Sequence, residues 1–394
     1  MNKTPSRLKI KLTRNLRRSV LRGHPWIYRE AITVPGPIDR ASLCQVLDAK
    51  GELGWAIYDP HGPLSLRIIS TDKVPPNNVF FEKRFAQAFA LRSGVRSPLT
   101  TAYRLFNGEG DGLPGLVCDI YGSIAVVQFD GQGPGEFWDR ELIANWLIEH
   151  TGCESVVEKS RRNTDRTIDI IGGKAFEVAT ESEVIVKENG VQFKVNLEKG
   201  QKTGFFLDQR ENRNHIRQMS RGKSVLNLFS YSGGFSVYAG LGGASRVASL
   251  DVSKGAIELA QQNWALNGLD PAKHEGLCVD VFEYLGGVPE LWDHIIVDPP
   301  SMSHSESQRQ LAKTKYIELF SAAAKRVRRN GELSLSSCSS HVSFDDFNEI
   351  IDESLSNTRR TGRILRISGQ GPDHPFPHAA HELRYLKFVH LALD

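Results

Sequence analysis

Cysteine is scarce: five residues in 394, at positions 44, 118, 153, 278 and 338, with no Cys-x-x-Cys pair and an odd total. That scatter argues against both a zinc site and a disulfide framework, so each thiol is by default a small buried side chain. No apolar run approaches the roughly 18 residues of a membrane span, and the basic N-terminus lacks the apolar core of a signal peptide. A soluble, cytoplasmic protein is expected. Net charge is low, at +3, and the composition shows no bias toward disorder. The length is more than one domain needs, so two or three are expected.

What is there centres on Val225 to Asp251, VLNLFSYSGGFSVYAGLGGASRVASLD. An apolar run, Val225–Phe229, stops at the small-residue turn Ser230-Tyr231-Ser232-Gly233-Gly234. A short helical pattern and a second apolar run follow, ending on Asp251. This is the opening half of a nucleotide-binding βαβ unit, in which glycines admit a ligand close to the backbone and the acid accepts ribose hydroxyls. The turn is not Gly-x-Gly-x-x-Gly, which disfavours a dehydrogenase, and it lacks the Gly-Lys-Ser/Thr of a phosphate loop. Asp280 and Asp298 each end a later apolar run. Carboxylates ringing a ligand repel a pyrophosphate and suit a cationic adenosine such as S-adenosylmethionine. The pattern reads as a methyltransferase.

Upstream, residues 1–29 carry nine Lys or Arg and no acid. Short alternating strands punctuated by Gly and Pro follow to about Thr71, with a hairpin near Lys50-Gly51, and suggest a small β-barrel-like domain. With Trp26 and Tyr28, this is the composition of an RNA-binding fold; Trp26 alone reads as core. Asn107, Glu109 and Asp111 sit in a Gly-rich loop, as turn formers or as lining of a cleft. Asn189-Gly190 marks a two-residue hairpin turn. From Ser224 strands alternate with helices, which means a mostly parallel, doubly wound sheet. The last two strands, Arg363–Ile367 and Tyr385–Leu393, have no helix between them, so an antiparallel strand is expected to end the sheet. Ligands in such sheets bind at the carboxyl ends of the strands, where Asp251, Asp280, Asp298 and Cys338 fall. The fold class is α/β, with residues 1–73, 74–190 and 191–394 as three domains.

In Asp298-Pro299-Pro300 the prolines fix the carboxylate at the strand end. Ser301 follows, where an aromatic would favour an amino-group substrate. Cys338 ends the next strand, in Ser336-Ser337-Cys338-Ser339-Ser340-His341. C5 of a pyrimidine is too weak a nucleophile to take a methyl group directly; a thiolate added at C6 makes it enamine-like. A carboxylate near N3, here Asp298, can protonate or hydrogen-bond the ring during addition. Alone, Cys338 reads as core; beside Asp-Pro-Pro and the nucleotide motif it reads as catalytic.

The chain resembles the ribosomal RNA large-subunit methyltransferase I family. The resemblance runs through RGHPWIY (22–28), LPGLVCDIYG (113–122), KTGFFLDQREN (202–212), VLNLFSYSGGFSVYA (225–239), VDPPS (297–301), SCSS (337–340) and GQGPDHP (369–375). It implies an S-adenosylmethionine-dependent 23S rRNA cytosine-C5 methyltransferase: an N-terminal PUA β-barrel, a central α/β domain and a Rossmann-like catalytic domain, commonly as homodimers. The implied cofactor residues are Phe206, Asp208, Asn227, Phe229, Ser230, Tyr231, Gly233, Gly234, Asp251, Asp280, Asp298 and Pro299. Of these, Asp251 would take the ribose hydroxyls, Asp280 the adenine amino group, and Asp298 would face the transfer site, with Cys338 as nucleophile. Ser301 stands where the family often has a lysine. The alternatives are an rRNA methyltransferase for another base, such as guanine N7, and an inactive RNA-binding or ribosome-assembly protein.

Overall fold

The computed structural model describes residues 8–34, 36–162, 165–175, 182–287, 289–303 and 306–394. Residues 1–7 of the basic N-terminal block lie outside the described residues, as does Ser305, where the sequence pattern places the start of a helix running to Arg328. The chain divides into two units, one of residues 1–186, 195–207 and 372–383, the other of 187–194, 208–371 and 384–394.

The second unit carries the alternating pattern. After α1 (Arg210–Met219), its elements are β1 (Ser224–Leu228), α2 (Gly234–Leu241), β2 (Arg246–Asp251), α3 (Lys254–Leu266) and β3 (His274–Cys278). Then come α4 (Val281–Gly287), β4 (Trp292–Val297), α5 (Arg309–Ala324), β5 (Val327–Ser337), α6 (Phe344–Thr358), β6 (Gly362–Ser368) and β7 (Lys387–Leu393). The sheet order is β3-β2-β1-β4-β5-β7-β6. All neighbours are parallel except β7, which runs antiparallel to both β5 and β6. The antiparallel strand therefore stands one place in from the edge, and β6 takes the edge itself. Burial explains the order: β7 is buried along nearly its whole length, whereas β6 is mostly exposed. A charged strand tolerates an edge and an apolar one does not.

Strands β1 and β4 and the second half of β5 are buried on both faces because helices cover both sides. Trp292, Tyr316, Phe320 and Phe347 fill one core, and Ile216, Phe235, Trp264 and Phe388 fill the other. Each such side chain contributes about 1.5–3 kcal/mol on full burial. Helix α6 starts from a capping box, Ser343 with Asp346.

The first unit holds a six-stranded sheet over Lys9–Ser70, antiparallel except where Lys9–Leu12 pairs parallel with Ser42–Asp48. A five-stranded sheet follows, within Ala102–Gly173, and helices Asn78–Leu91 and Arg140–Thr151 share its core. The Gly-rich loop acids are tied into this unit. Glu109 accepts from the Trp26 indole N–H at 2.8 Å and pairs with Arg67. Asp111 makes a buried fork–fork pair with Arg92 (2.5 and 2.7 Å), and Asn107 Nδ2 donates to the Pro375 carbonyl. Trp26 is half-buried and Tyr28 exposed. The hairpin turn falls at Asn189-Gly190, with φ of +50° and +81°, as a type I′ turn requires. No helix among the described residues is long and apolar enough to cross a membrane.

Candidate active site

The turn after β1 is held in an uncommon backbone shape. Phe229 (φ +56°) and Tyr231 (φ +46°) both adopt left-handed conformations that cost a non-glycine residue on the order of 1–3 kcal/mol. The surroundings fix them. Ser230 N–H donates to the Leu250 carbonyl, and Tyr231 N–H to Asp251 Oδ2, each at 2.9 Å. The other Asp251 oxygen accepts from Ser253 N–H, also at 2.9 Å. Gly233 (φ +76°) precedes α2, and a Cβ there would stand 2.8 Å from that of Ala260. Only glycine lets α2 and α3 approach this closely. From α3, Asn263 Nδ2 also holds the Ser232 carbonyl, at 2.9 Å.

At the end of β1 and along this turn Asn227 Oδ1, Ser230 Oγ and Ser232 Oγ are buried and have no hydrogen-bond partner. A buried polar atom left unpaired costs about 1–3 kcal/mol, and three so close together mark a place where a polar ligand completes the bonding. Asp280 is exposed and caps α4, accepting from Phe282 and Glu283 N–H at 2.8 and 3.1 Å.

Asp298 follows β4 and accepts from Gln209 Nε2 at 2.9 Å. Gln209 is itself oriented, since its Oε1 accepts from Asn212 Nδ2 at 2.6 Å, and Asn212 Oδ1 accepts from Ser368 Oγ at 2.7 Å. Buried Asp208 accepts from the Tyr385 hydroxyl at 2.7 Å. Phe206 belongs to the first unit, half-buried under the Lys202 ammonium. Pro299 is buried.

β4 and β5 are neighbours, with Val297 opposite Leu335, so the segments after them, bearing Asp298 and Cys338, leave the sheet side by side. Ser339 ties them together. Its Oγ bonds to Ser301 Oγ (3.1 Å), Met302 N–H (3.1 Å) and the Tyr316 hydroxyl (3.0 Å). Beneath the Cys338 turn lies Lys387, buried, donating to the carbonyls of Ser339, Val342 and Tyr385 at 2.6–2.8 Å. Burial pulls the Lys387 ammonium down to about 8, against the opposing pull of Cys338 and Asp346. Half-buried Cys338 is thus on a turn pinned from two sides.

Asn227, Phe229, Ser230, Tyr231, Gly233, Gly234 and Asp251 come together at the β1 and β2 ends, and Asp298, Pro299 and Cys338 at the adjoining β4 and β5 ends. Asp280 stands at the β3 end, farther along the sheet. Sequence reading missed Ser339, Asn212, Tyr316 and Lys387. A lysine opening the apolar run KFVHLAL was the one available signal.

Comparison with known proteins fits this geometry. Residues 140–321 match a family model described as an S-adenosylmethionine-dependent methyltransferase, and residues 10–71 match a PUA-like domain. A ribosomal RNA large subunit methyltransferase of Deinococcus radiodurans is 35% identical, with 98% of each chain covered. The ribosomal RNA large subunit methyltransferase I of Pseudoalteromonas atlantica is 34% identical, over 94% of this chain and 95% of that one. The chain belongs to the ribosomal RNA large-subunit methyltransferase I family. Among solved structures, a SAM-dependent methyltransferase from Streptococcus mutans superposes with a TM-score of 0.84 at 26% identity, covering 98% of this chain and 100% of that one. A methyltransferase complexed with SAH gives the same score and identity, covering 98% and 99%. The cofactor of this family member is S-adenosylmethionine, and the unpaired polar atoms of the β1 turn suit its polar adenosyl and amino-acid groups.

Proposed function

We propose that the chain methylates C5 of a cytosine in 23S rRNA, with Cys338 as the nucleophile. The observation that carries this reading is the placement of Cys338 beside Asp298, on neighbouring strand ends joined through Ser301 and Ser339. S-adenosylmethionine, when bound, supplies an electrophilic methyl group. The Cys338 thiolate adds to C6 and makes C5 nucleophilic; once C5 carries the methyl group, its proton passes to water and the C6–S bond breaks, which returns the thiolate and restores the ring. Asp298, held by Gln209, hydrogen-bonds the ring edge and stabilises charge as it develops. The cofactor is assigned to Phe206, Asp208, the Asn227–Gly234 turn, Asp251, Asp280, Asp298 and Pro299.

The large-subunit RNA target rests on the names of the relatives. It is supported by a cleft of about 640 Å³ in the first unit, lined by Arg18, Arg22, His378 and His381, a surface suited to RNA phosphates. A cytoplasmic location and assembly as a homodimer belong to the same reading.

The test is transfer of labelled methyl from S-adenosylmethionine to 23S rRNA, followed by nucleoside analysis. 5-Methylcytidine is the expected product. A methylguanosine would overturn the cytosine assignment, and absence of transfer to any rRNA would favour a binding protein. Asp251→Ala is expected to weaken S-adenosylmethionine binding by roughly 10- to 100-fold, the loss of charged hydrogen bonds worth about 1.5–3 kcal/mol. Titration calorimetry checks this, and a change under about threefold would remove Asp251 from the cofactor site.

A further inference from the structure

At the amino-terminal side of the same sheet, away from the strand ends that carry Asp298 and Cys338, three potential ligand groups converge. His294 on β4, Glu332 on β5 and His390 on β7 each offer one atom, all within 4.8 Å of one another. His390 Nε2 lies 3.1 Å and His294 Nδ1 3.6 Å from the same oxygen, Glu332 Oε2. We propose that His294, Glu332 and His390 form a binding site for a divalent transition-metal ion, of which Zn²⁺ is the best match.

Two independent features support the site. His294 is completely buried, yet its Nδ1 has no hydrogen-bond partner. A buried imidazole nitrogen aimed at a carboxylate it does not reach is costly, and a cation between them would satisfy both. Moreover, every ligand residue has its other polar atom held. His294 Nε2 bonds to Ser334 Oγ at 2.9 Å, His390 Nδ1 to His215 Nε2 at 2.7 Å, and Glu332 Oε1 accepts from Lys223 Nζ at 2.5 Å. Outer partners of this kind fix the tautomer of metal ligands, and their loss typically costs 10- to 100-fold in metal affinity.

Two imidazoles and one carboxylate are a recurrent zinc donor set, at bonds of about 2.0–2.2 Å. The scattered cysteines exclude a thiolate cage but are silent on two histidines and a glutamate contributed by three separate strands. The His294 and His390 rings lie 4.9 Å apart and within 5° of parallel. Their lone pairs lie in the ring planes, so loading turns the rings toward the ion. A cation here would staple β4, β5 and β7, two of which carry the active-site turns at their far ends.

The experiment uses the full chain, freed of metal by chelator and titrated with ZnCl₂ by calorimetry and with CoCl₂ by visible absorption. One equivalent of Zn²⁺ with micromolar or tighter affinity is expected, with cobalt d–d bands and no thiolate charge-transfer band. His294→Gln and Glu332→Gln should each lower zinc affinity at least 100-fold, and His215→Asn roughly 10- to 100-fold. The wild-type titration decides even where a core variant misfolds, and His215→Asn, on α1, tests the site without touching a ligand. Absence of stoichiometric binding to wild type would overturn the site. So would a thiolate charge-transfer band, or an affinity unchanged in a folded His294→Gln or Glu332→Gln chain.

Discussion

Cys338→Ala is expected to lower methyl transfer by at least about a thousandfold, the scale on which removal of an essential nucleophile is felt. Binding of S-adenosylmethionine should survive, because the β1 turn is held by the Leu250 carbonyl and by Asp251, which Ser253 N–H fixes in turn. Stability should also survive. Cys338 is half-buried, and its turn is secured by Ser339 and Lys387, so loss of one thiol removes little packing. A catalytic and a packing role therefore make opposite predictions. A catalytic thiol loses rate with an almost unchanged melting temperature; a core thiol loses melting temperature in proportion to its lost contacts and keeps its rate. RNA containing 5-fluorocytidine sharpens the test. Fluorine at C5 blocks the proton loss that precedes thiolate departure, so wild type should form a denaturant-resistant adduct and Cys338→Ala none. Full activity in the alanine variant would return Cys338 to the core.

What could be read from the chain alone was local pattern, and what could not was pairing between distant segments. The β1 turn announces itself because its residues are contiguous and their chemistry is tied to a backbone shape. The parallel sheet follows from the alternation of apolar runs with helical stretches. The position of β7 did not follow, although composition held the answer: KFVHLAL suits a strand covered on both sides, whereas GRILRIS suits an edge. Glu109 and Asp111 were visible as loop acids, but their partners Arg67 and Arg92 lie 42 and 19 residues away. Nothing local distinguishes an acid in a buried pair from one lining a cleft. The Ser301–Ser339 contact was hidden for the same reason, since serines carry no signature until the fold sets them face to face.

Replacing Glu188 with alanine is expected to destabilise the second unit by about 3–5 kcal/mol, the cost of stranding a buried charge. Glu188 and Arg213 are both fully enclosed and bonded fork to fork, Nε to Oε1 at 2.8 Å and Nη2 to Oε2 at 2.6 Å. Truncation of the glutamate takes from a buried guanidinium its hydrogen-bonded counter-charge and leaves it the pull of the Asp208 carboxylate. For a unit of this size the loss corresponds to a drop in melting temperature on the order of 10 °C, read by calorimetry. The pair matters beyond its own energy because of what it anchors. Glu188 ends the first strand of the Asn189-Gly190 hairpin, and its carbonyl accepts from the Tyr238 hydroxyl of α2 at 2.8 Å. The second hairpin strand is bonded by side chains of α3 and the residue after it: Lys194 N–H to Asn263 Oδ1, and Gln192 N–H to Asn267 Oδ1. Asn263 is the same residue whose Nδ2 holds Ser232 in the cofactor turn. The hairpin thus braces α2 and α3, the two helices that shape that turn. Glu188→Ala should weaken S-adenosylmethionine binding as well as lower the melting temperature. The double variant Glu188→Met with Arg213→Met should regain much of the stability, since a charge pair replaced on both sides leaves nothing stranded. A melting shift under about 2 °C in the single variant, or a double variant no more stable than the single one, would show that the pair does not brace the hairpin.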